Sequence, residues 1–133
     1  MSVRECTVDA RVWWGATGIT LAAAHRYDFT ASGEWFDADI PAGPEGYDIR
    51  TALPPWKRPL FRLVGAFRPL DTGDRWYMLL GRLGPSGRPF QIGSRHVGTF
   101  TESGALYATV NDLRCAYGNN SGTVILRVFD LSP

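Results

Sequence analysis

Apolar and polar residues alternate with a period of two along most of this chain, and the alternating runs are short. Successive strand side chains face opposite sides, so such runs predict strands covered on one face. In residues 8–14, Val8, Ala10 and Val12 share a side. In residues 26–32, Tyr27, Phe29 and Ala31 oppose Arg26, Asp28, Thr30 and Ser32. Residues 60–67 and 75–83 are more continuously apolar and predict more deeply covered strands. Residues 90–92, 106–110 and a final run with Val124, Leu126 and Val128 on one face complete the set. The pattern offers no useful helical stripe, only a single possible turn over Leu21–Ala24. Fifteen glycines and nine prolines punctuate the runs. Many short strands at close spacing predict an all-β fold, an antiparallel β-sandwich.

Residues 37–59 break the rhythm and hold five of the nine prolines. They predict a long irregular loop, and such loops inside a compact domain are commonly functional. Tyr47 and Trp56 argue against simple disorder there, since aromatic rings are costly to leave in water. There is no repeat or linker, so residues 1–133 read as one domain, large enough to bury about two-thirds of its unfolded surface.

Composition narrows the function classes. Hydrophobic residues at 44% and charged residues at 20% describe an ordinary soluble globule. The net charge is +1, and the fourteen basic residues run from Arg4 to Arg127 interleaved with acids, which argues against nucleic acid as a partner. Nothing approaches the ~18 apolar residues of a membrane span, so no membrane insertion is expected. The first residues lack the apolar core of a secretory signal, which points to a cytoplasmic location. Cys6 and Cys115 read as reduced, partly buried thiols rather than a bridge. With no CxxC pair and His25 far from His96, zinc is disfavoured.

The densest candidate chemistry lies in residues 111–122, Asn-Asp-Leu-Arg-Cys-Ala-Tyr-Gly-Asn-Asn-Ser-Gly. One carboxylate, two adjacent carboxamides and two glycines fall between strand-like runs. Ca²⁺ takes oxygen ligands from such groups at roughly 2.3–2.6 Å. Asn119 and Asn120 would face opposite sides of a regular strand, so a shared ion requires an irregular turn that glycine permits. A plain hairpin turn is the alternative reading of Gly-Asn-Asn-Ser-Gly.

The pattern Asn111-Asp112, four residues, then Tyr117-Gly118-Asn119-Asn120-Ser121-Gly122 resembles the calcium loop of the PA-IL-like family, bacterial galactophilic lectins. Weaker similarity lies in Phe29–Trp35, in Gly43-Pro44-Glu45-Gly46, and in Leu79–Gly84 followed by Pro89–Gly93. The segment between Trp35 and Leu79 looks longer than in the family's galactose binder. The resemblance implies a jelly-roll, galactose-binding-like sandwich that holds one Ca²⁺. Asp112 would bind it through its carboxylate, Asn119 and Asn120 through side-chain oxygens, and Ala116 and Asp37 through backbone carbonyls, with the Asp37 carboxylate a further possibility. It further implies that vicinal hydroxyls of a galactose-type glycan complete the coordination, with Asp112 and Asn119 bonded to the same hydroxyls. A homo-oligomer, dimer or tetramer, and release by a non-classical route are also implied.

The sugar pocket departs from the family, because residues 37–59 lack its His-Pro-x-x-Gln pattern. In its place Tyr47 and Trp56 offer rings for a pyranose face, and Arg50 offers donors. Trp13, Trp14 and Trp76 are candidates for an oligomer interface or for the core. Two other classes stay open: a module whose Ca²⁺ is purely structural, and a small glycan-processing enzyme. The enzyme is disfavoured, because Asp37/Asp39 and Asp71/Asp74 lie too close in sequence to oppose one another across a cleft.

Overall fold

The structure, a computed structural model, describes residues 3–133. Met1 and Ser2, which open the segment read for a signal, lie outside the described residues. The strands are β1 (Val3–Asp9), β2 (Gly15–Leu21), β3 (Arg26–Asp37), β4 (Ile40–Ala42), β5 (Tyr47–Asp48), β6 (Arg75–Trp76), β7 (Leu79–Leu83), β8 (Phe90–Gln91), β9 (Arg95–Thr99), β10 (Gly104–Val110) and β11 (Asn120–Asp130). Between β5 and β6 lie two short helices, α1 (Ile49–Ala52) and α2 (Arg58–Val64), with 3₁₀ turns at Pro55–Lys57 and Gly65–Phe67.

All pairing is antiparallel. One sheet runs β1-β11-β3-β4, with β9 on the first half of β3, a second runs β2-β10-β7-β8, and β5 and β6 form a small two-stranded sheet of their own. The first sheet gives the core Val8, Tyr27, Phe29, Trp35, Val124, Leu126 and Val128; the second gives Ile19, Leu21, Leu79, Leu106, Ala108 and Val110. The fold is an all-β sandwich. Core residues that share a strand are two residues apart or a multiple of two, which makes the alternating runs legible in the sequence.

Several expectations need correction. Residues 60–67 are not a strand but α2 and the 3₁₀ turn after it. Pro59 sits in the first turn of α2, where the missing N–H is not needed. Phe61 and Val64 are three apart, a helical spacing, and Phe61 meets Trp76 edge-on at 4.9 Å between ring centroids. The predicted strand at 8–14 instead ends at Asp9. The Asp9 carboxylate accepts from the Arg11 N–H and guanidinium, which turns the chain and leaves Val12 exposed. Leu21 closes β2, and Ala22–His25 make a tight reverse turn, with Ala24 at φ +65, rather than a helical one. β2 and β9 leave little trace in the pattern, because small residues and glycines dilute their alternation.

Residues 37–59 are largely ordered into β4, β5, α1 and the approach to α2. Gly46 fixes their path: at φ +80, a Cβ there would lie 2.1 Å from the Trp76 carbonyl oxygen. Cys6 and Cys115 are both free, and Cys115 is exposed rather than partly buried. Trp14 and Trp76 are core residues, and Trp13 is partly buried against that core.

Candidate metal centre

The loop after β10 is irregular, as two ligands in succession demand. Asn111 and Asp112 leave the strand, Arg114–Asn119 form a 3₁₀ turn, and Asn120 opens β11. The turn rotates Asn119 off the strand alternation just before Asn120 enters it. The register then sets Asn120 opposite Asp37 at the end of β3. Positive φ is needed at Gly122 (φ +87), where a Cβ would lie 2.8 Å from the Trp35 Cα, but not at Gly118. The loop is therefore no type I′ hairpin.

Asp37, Asp112, Ala116 and Asn119 line one hollow of about 260 Å³, and Asn120 lies beside it. Asp112 is 3% exposed; its Oδ1 accepts from the Leu113 N–H at 2.8 Å, while its Oδ2 is buried without a partner. Asn120 is buried as deeply. Its Nδ2 donates to the Ala10 carbonyl at 2.9 Å, which fixes the amide orientation and leaves Oδ1 buried and unpaired. The Asp37 carboxylate accepts from the Tyr47 hydroxyl at 2.6 Å.

Burial, and next the neighbouring Asp37, push the Asp112 carboxyl up to about 6, against a weaker pull from the Leu113 N–H and the Asn120 amide. Burial raises Asp37 as well, although the Tyr47 hydrogen bond opposes it. Arg68 also pulls the Asp112 carboxyl down, but less than the two hydrogen-bond donors do. Two carboxylates thus share a buried place with little positive charge to balance them.

That arrangement fits a calcium ion. A buried carboxylate oxygen and a buried carboxamide oxygen, both without donors, each forgo hydrogen bonds that burial makes costly to lose. A hard divalent cation satisfies both, and the lining offers oxygen donors rather than thiolate or imidazole. The sequence-predicted set Asp37, Asp112, Ala116, Asn119 and Asn120 is brought together.

The predicted sugar contacts from residues 47–56 are not. Tyr47 is 7% exposed, its hydroxyl committed to Asp37. Arg50 pairs with Asp48 at 2.7 Å and is not among the residues lining the hollow. Trp56 stands exposed, outside the hollow. The rest of the wall is apolar instead: Leu60, Phe61 and Val64 from α2, with Trp76 and Leu113. A strand over 60–67 would not present this wall; the helix does.

In the sequence Asn111 is only part of a motif, yet its side chain anchors the segment that carries α2. It donates through Nδ2 to the Leu70 carbonyl at 2.9 Å and to Thr72 Oγ1 at 3.0 Å, and its Oδ1 accepts from the Leu70 N–H. Tyr77, at the entry to β7, donates its hydroxyl to the Phe36 carbonyl at 2.5 Å and ties the end of β3 to the second sheet. A buried Asn beside a distant turn leaves no mark in sequence spacing.

No protein-family model matches the chain, and no curated protein matches it either. Among solved structures, it is similar to one described as "EclA N-terminal domain; PllA-like lectin", with a TM-score of 0.69 and 21% identity over 95% of this chain and 94% of that one. At that identity the likeness establishes shared architecture, and the chain has the fold of that lectin domain.

Proposed function

We propose that this protein binds glycans through a Ca²⁺ ion held by Asp37, Asp112, Ala116, Asn119 and Asn120. The observation that carries the reading is the pair of buried, partnerless oxygens, Asp112 Oδ2 and Asn120 Oδ1, beside a second carboxylate. The bound ion would supply positive charge that polarises two vicinal hydroxyls of a galactose-type sugar. Asp112 and Asn119 hydrogen-bond the same hydroxyls, and Phe61 and Val64 cover the apolar sugar face. The lectin-like fold supports this class of function. Single-sugar affinities of ~1 mM to ~1 μM correspond to about −4 to −8 kcal/mol. Multivalency raises avidity roughly 10²–10⁴-fold, so a homo-oligomer, dimer or tetramer, belongs to the same proposal.

The second carboxylate favours one other reading. If Asp37 binds through its side chain, two anions neutralise Ca²⁺ and weaken its pull on hydroxyls. The ion is then structural.

Titrating galactose into the protein by calorimetry, with calcium and then with EDTA, separates these readings. Heat only with calcium supports the metal-bridged lectin, and equal heat in both buffers removes the metal bridge. No heat in either, with melting still raised by calcium, leaves the structural ion. Asp37 and Asp112 come from different elements, so they are the pair an enzyme would use; hydrolysis of a chromogenic galactoside would overturn the non-enzymatic reading.

A further inference from the structure

The apolar wall of the hollow is one side of α2; the other side faces solvent and is also apolar. Trp56, Leu60, Leu63 and Phe67 recur at spacings of four, three and four, and are 75%, 59%, 75% and 79% exposed. This spacing aligns them along one line of a helical segment. Four large apolar side chains left in water on one stripe call for a covering surface.

Charge selects the kind of surface. Residues 49–70 contain no aspartate or glutamate and five basic residues, Arg50, Lys57, Arg58, Arg62 and Arg68. Removing those five charges from the overall +1 leaves the rest of the chain at −4. The even interleaving of charges read from the whole sequence fails here. Arg50 and Arg62 meet Asp48 and Asp74, and Arg68 meets Asp71. Lys57 and Arg58 have no acidic partner among the described residues; Arg58 donates to the carbonyls of Arg50 and Leu53.

We propose that the segment Trp56–Phe67 docks on the surface of an anionic lipid bilayer, with Trp56, Leu60, Leu63 and Phe67 in the acyl boundary and Lys57 at the headgroups. An aromatic and leucine face flanked by basic residues is the chemistry of helices that lie in the interface plane. The segment does not span: among the described residues no helix is long and apolar enough to cross a membrane. A second copy on a two-fold axis would bring Lys57, which has no acidic partner among the described residues, against its own copy beside the stripe. A nucleic acid would match the cations but leave the apolar stripe in water. Leu60 belongs to both the stripe and the hollow, so docking sets the mouth of the hollow at the membrane surface.

The test is flotation of the protein with phosphatidylcholine vesicles, with and without phosphatidylglycerol, all in EDTA so that the candidate metal centre plays no part. The protein floats with the phosphatidylglycerol vesicles and much less with phosphatidylcholine alone. The triple variant Trp56→Ser, Leu63→Ser, Phe67→Ser lowers the partition coefficient at least about tenfold, with circular dichroism and melting temperature unchanged. Lys57→Glu lowers it several-fold. None of these residues lines the hollow, so galactose titration of the triple variant reports the glycan reading independently. The proposal is overturned if the wild-type protein does not float, or if the triple variant floats equally well. It is also overturned, in favour of a second copy, by a dimer in sedimentation velocity that the triple variant splits while neither protein floats.

Discussion

The hydroxyl of Tyr47 donates to Oδ2 of Asp37 at 2.6 Å, joining the end of β3 to the start of the helical segment. The phenol holds a carboxylate at the candidate metal centre instead of offering a ring to a sugar. A hydrogen bond behind a ligand orients it, and losing one commonly costs 10–100-fold in metal affinity. Where Asp37 binds the ion through this carboxylate, as the structural-ion reading has it, Tyr47→Phe weakens calcium binding about tenfold by calorimetry while the fold survives, because the ring still fills its site. Unchanged affinity means that Asp37 binds through its backbone carbonyl, the arrangement that the metal-bridged lectin needs.

Asp112→Asn tests the centre from the other side. Without metal, the variant loses a buried charge and should melt no lower than the wild type in EDTA. Calcium at 100 times its Kd stabilises the wild type by about 2.7 kcal/mol, a rise of several degrees, and the variant should show none. A calcium-induced rise retained in the variant would move the ion elsewhere.

Metal-free stability should fall as pH rises from 4 to 7. The folded Asp112 carboxyl sits at about 6, above its unfolded value, so the folded state binds the extra proton. Its contribution is fully present below the unfolded pKa near 4 and is lost as pH passes the folded value. The difference amounts to about 3 kcal/mol. Asp37 is shifted in the same direction. With calcium the trend should reverse, because the ion needs the Asp112 carboxyl deprotonated. Chemical denaturation in EDTA across this range, for the wild type and Asp112→Asn, gives the slope directly; a flat wild-type profile would contradict the burial argument.

Asn111→Ala removes three side-chain hydrogen bonds and strips the Leu70 N–H and carbonyl of partners. The expected loss is about 2–4 kcal/mol. Proteolysis within residues 58–72 should accelerate well before global unfolding, since Asn111 anchors that segment to the sandwich.

At Gly122 both the positive φ and the 2.8 Å approach of a Cβ to the Trp35 Cα oppose any side chain. Gly122→Ala should cost at least about 2 kcal/mol and weaken calcium binding too, because Asn120 is two residues away. Gly118→Ala, with nothing within 4 Å of its Cβ, should cost little by the same urea titration.

The sequence by itself determined the sandwich, because strands of period two need only local alternation to be legible: Tyr27 and Phe29, or Val124, Leu126 and Val128, declare their faces without any partner. It also assembled the oxygen donors of residues 111–122, whose proximity is covalent. Tertiary structure decided the rest. Register brought Asp37 opposite Asn120, and burial left Asp112 Oδ2 and Asn120 Oδ1 without partners. The same contacts placed Tyr47 behind Asp37 rather than in the hollow. In residues 56–67 the apolar letters suited either period, and only packing of Phe61 on Trp76 settled them as a helix with its second apolar face turned outward. Which atoms lack a partner depends on what folds over them, and that is a property of contacts between distant segments.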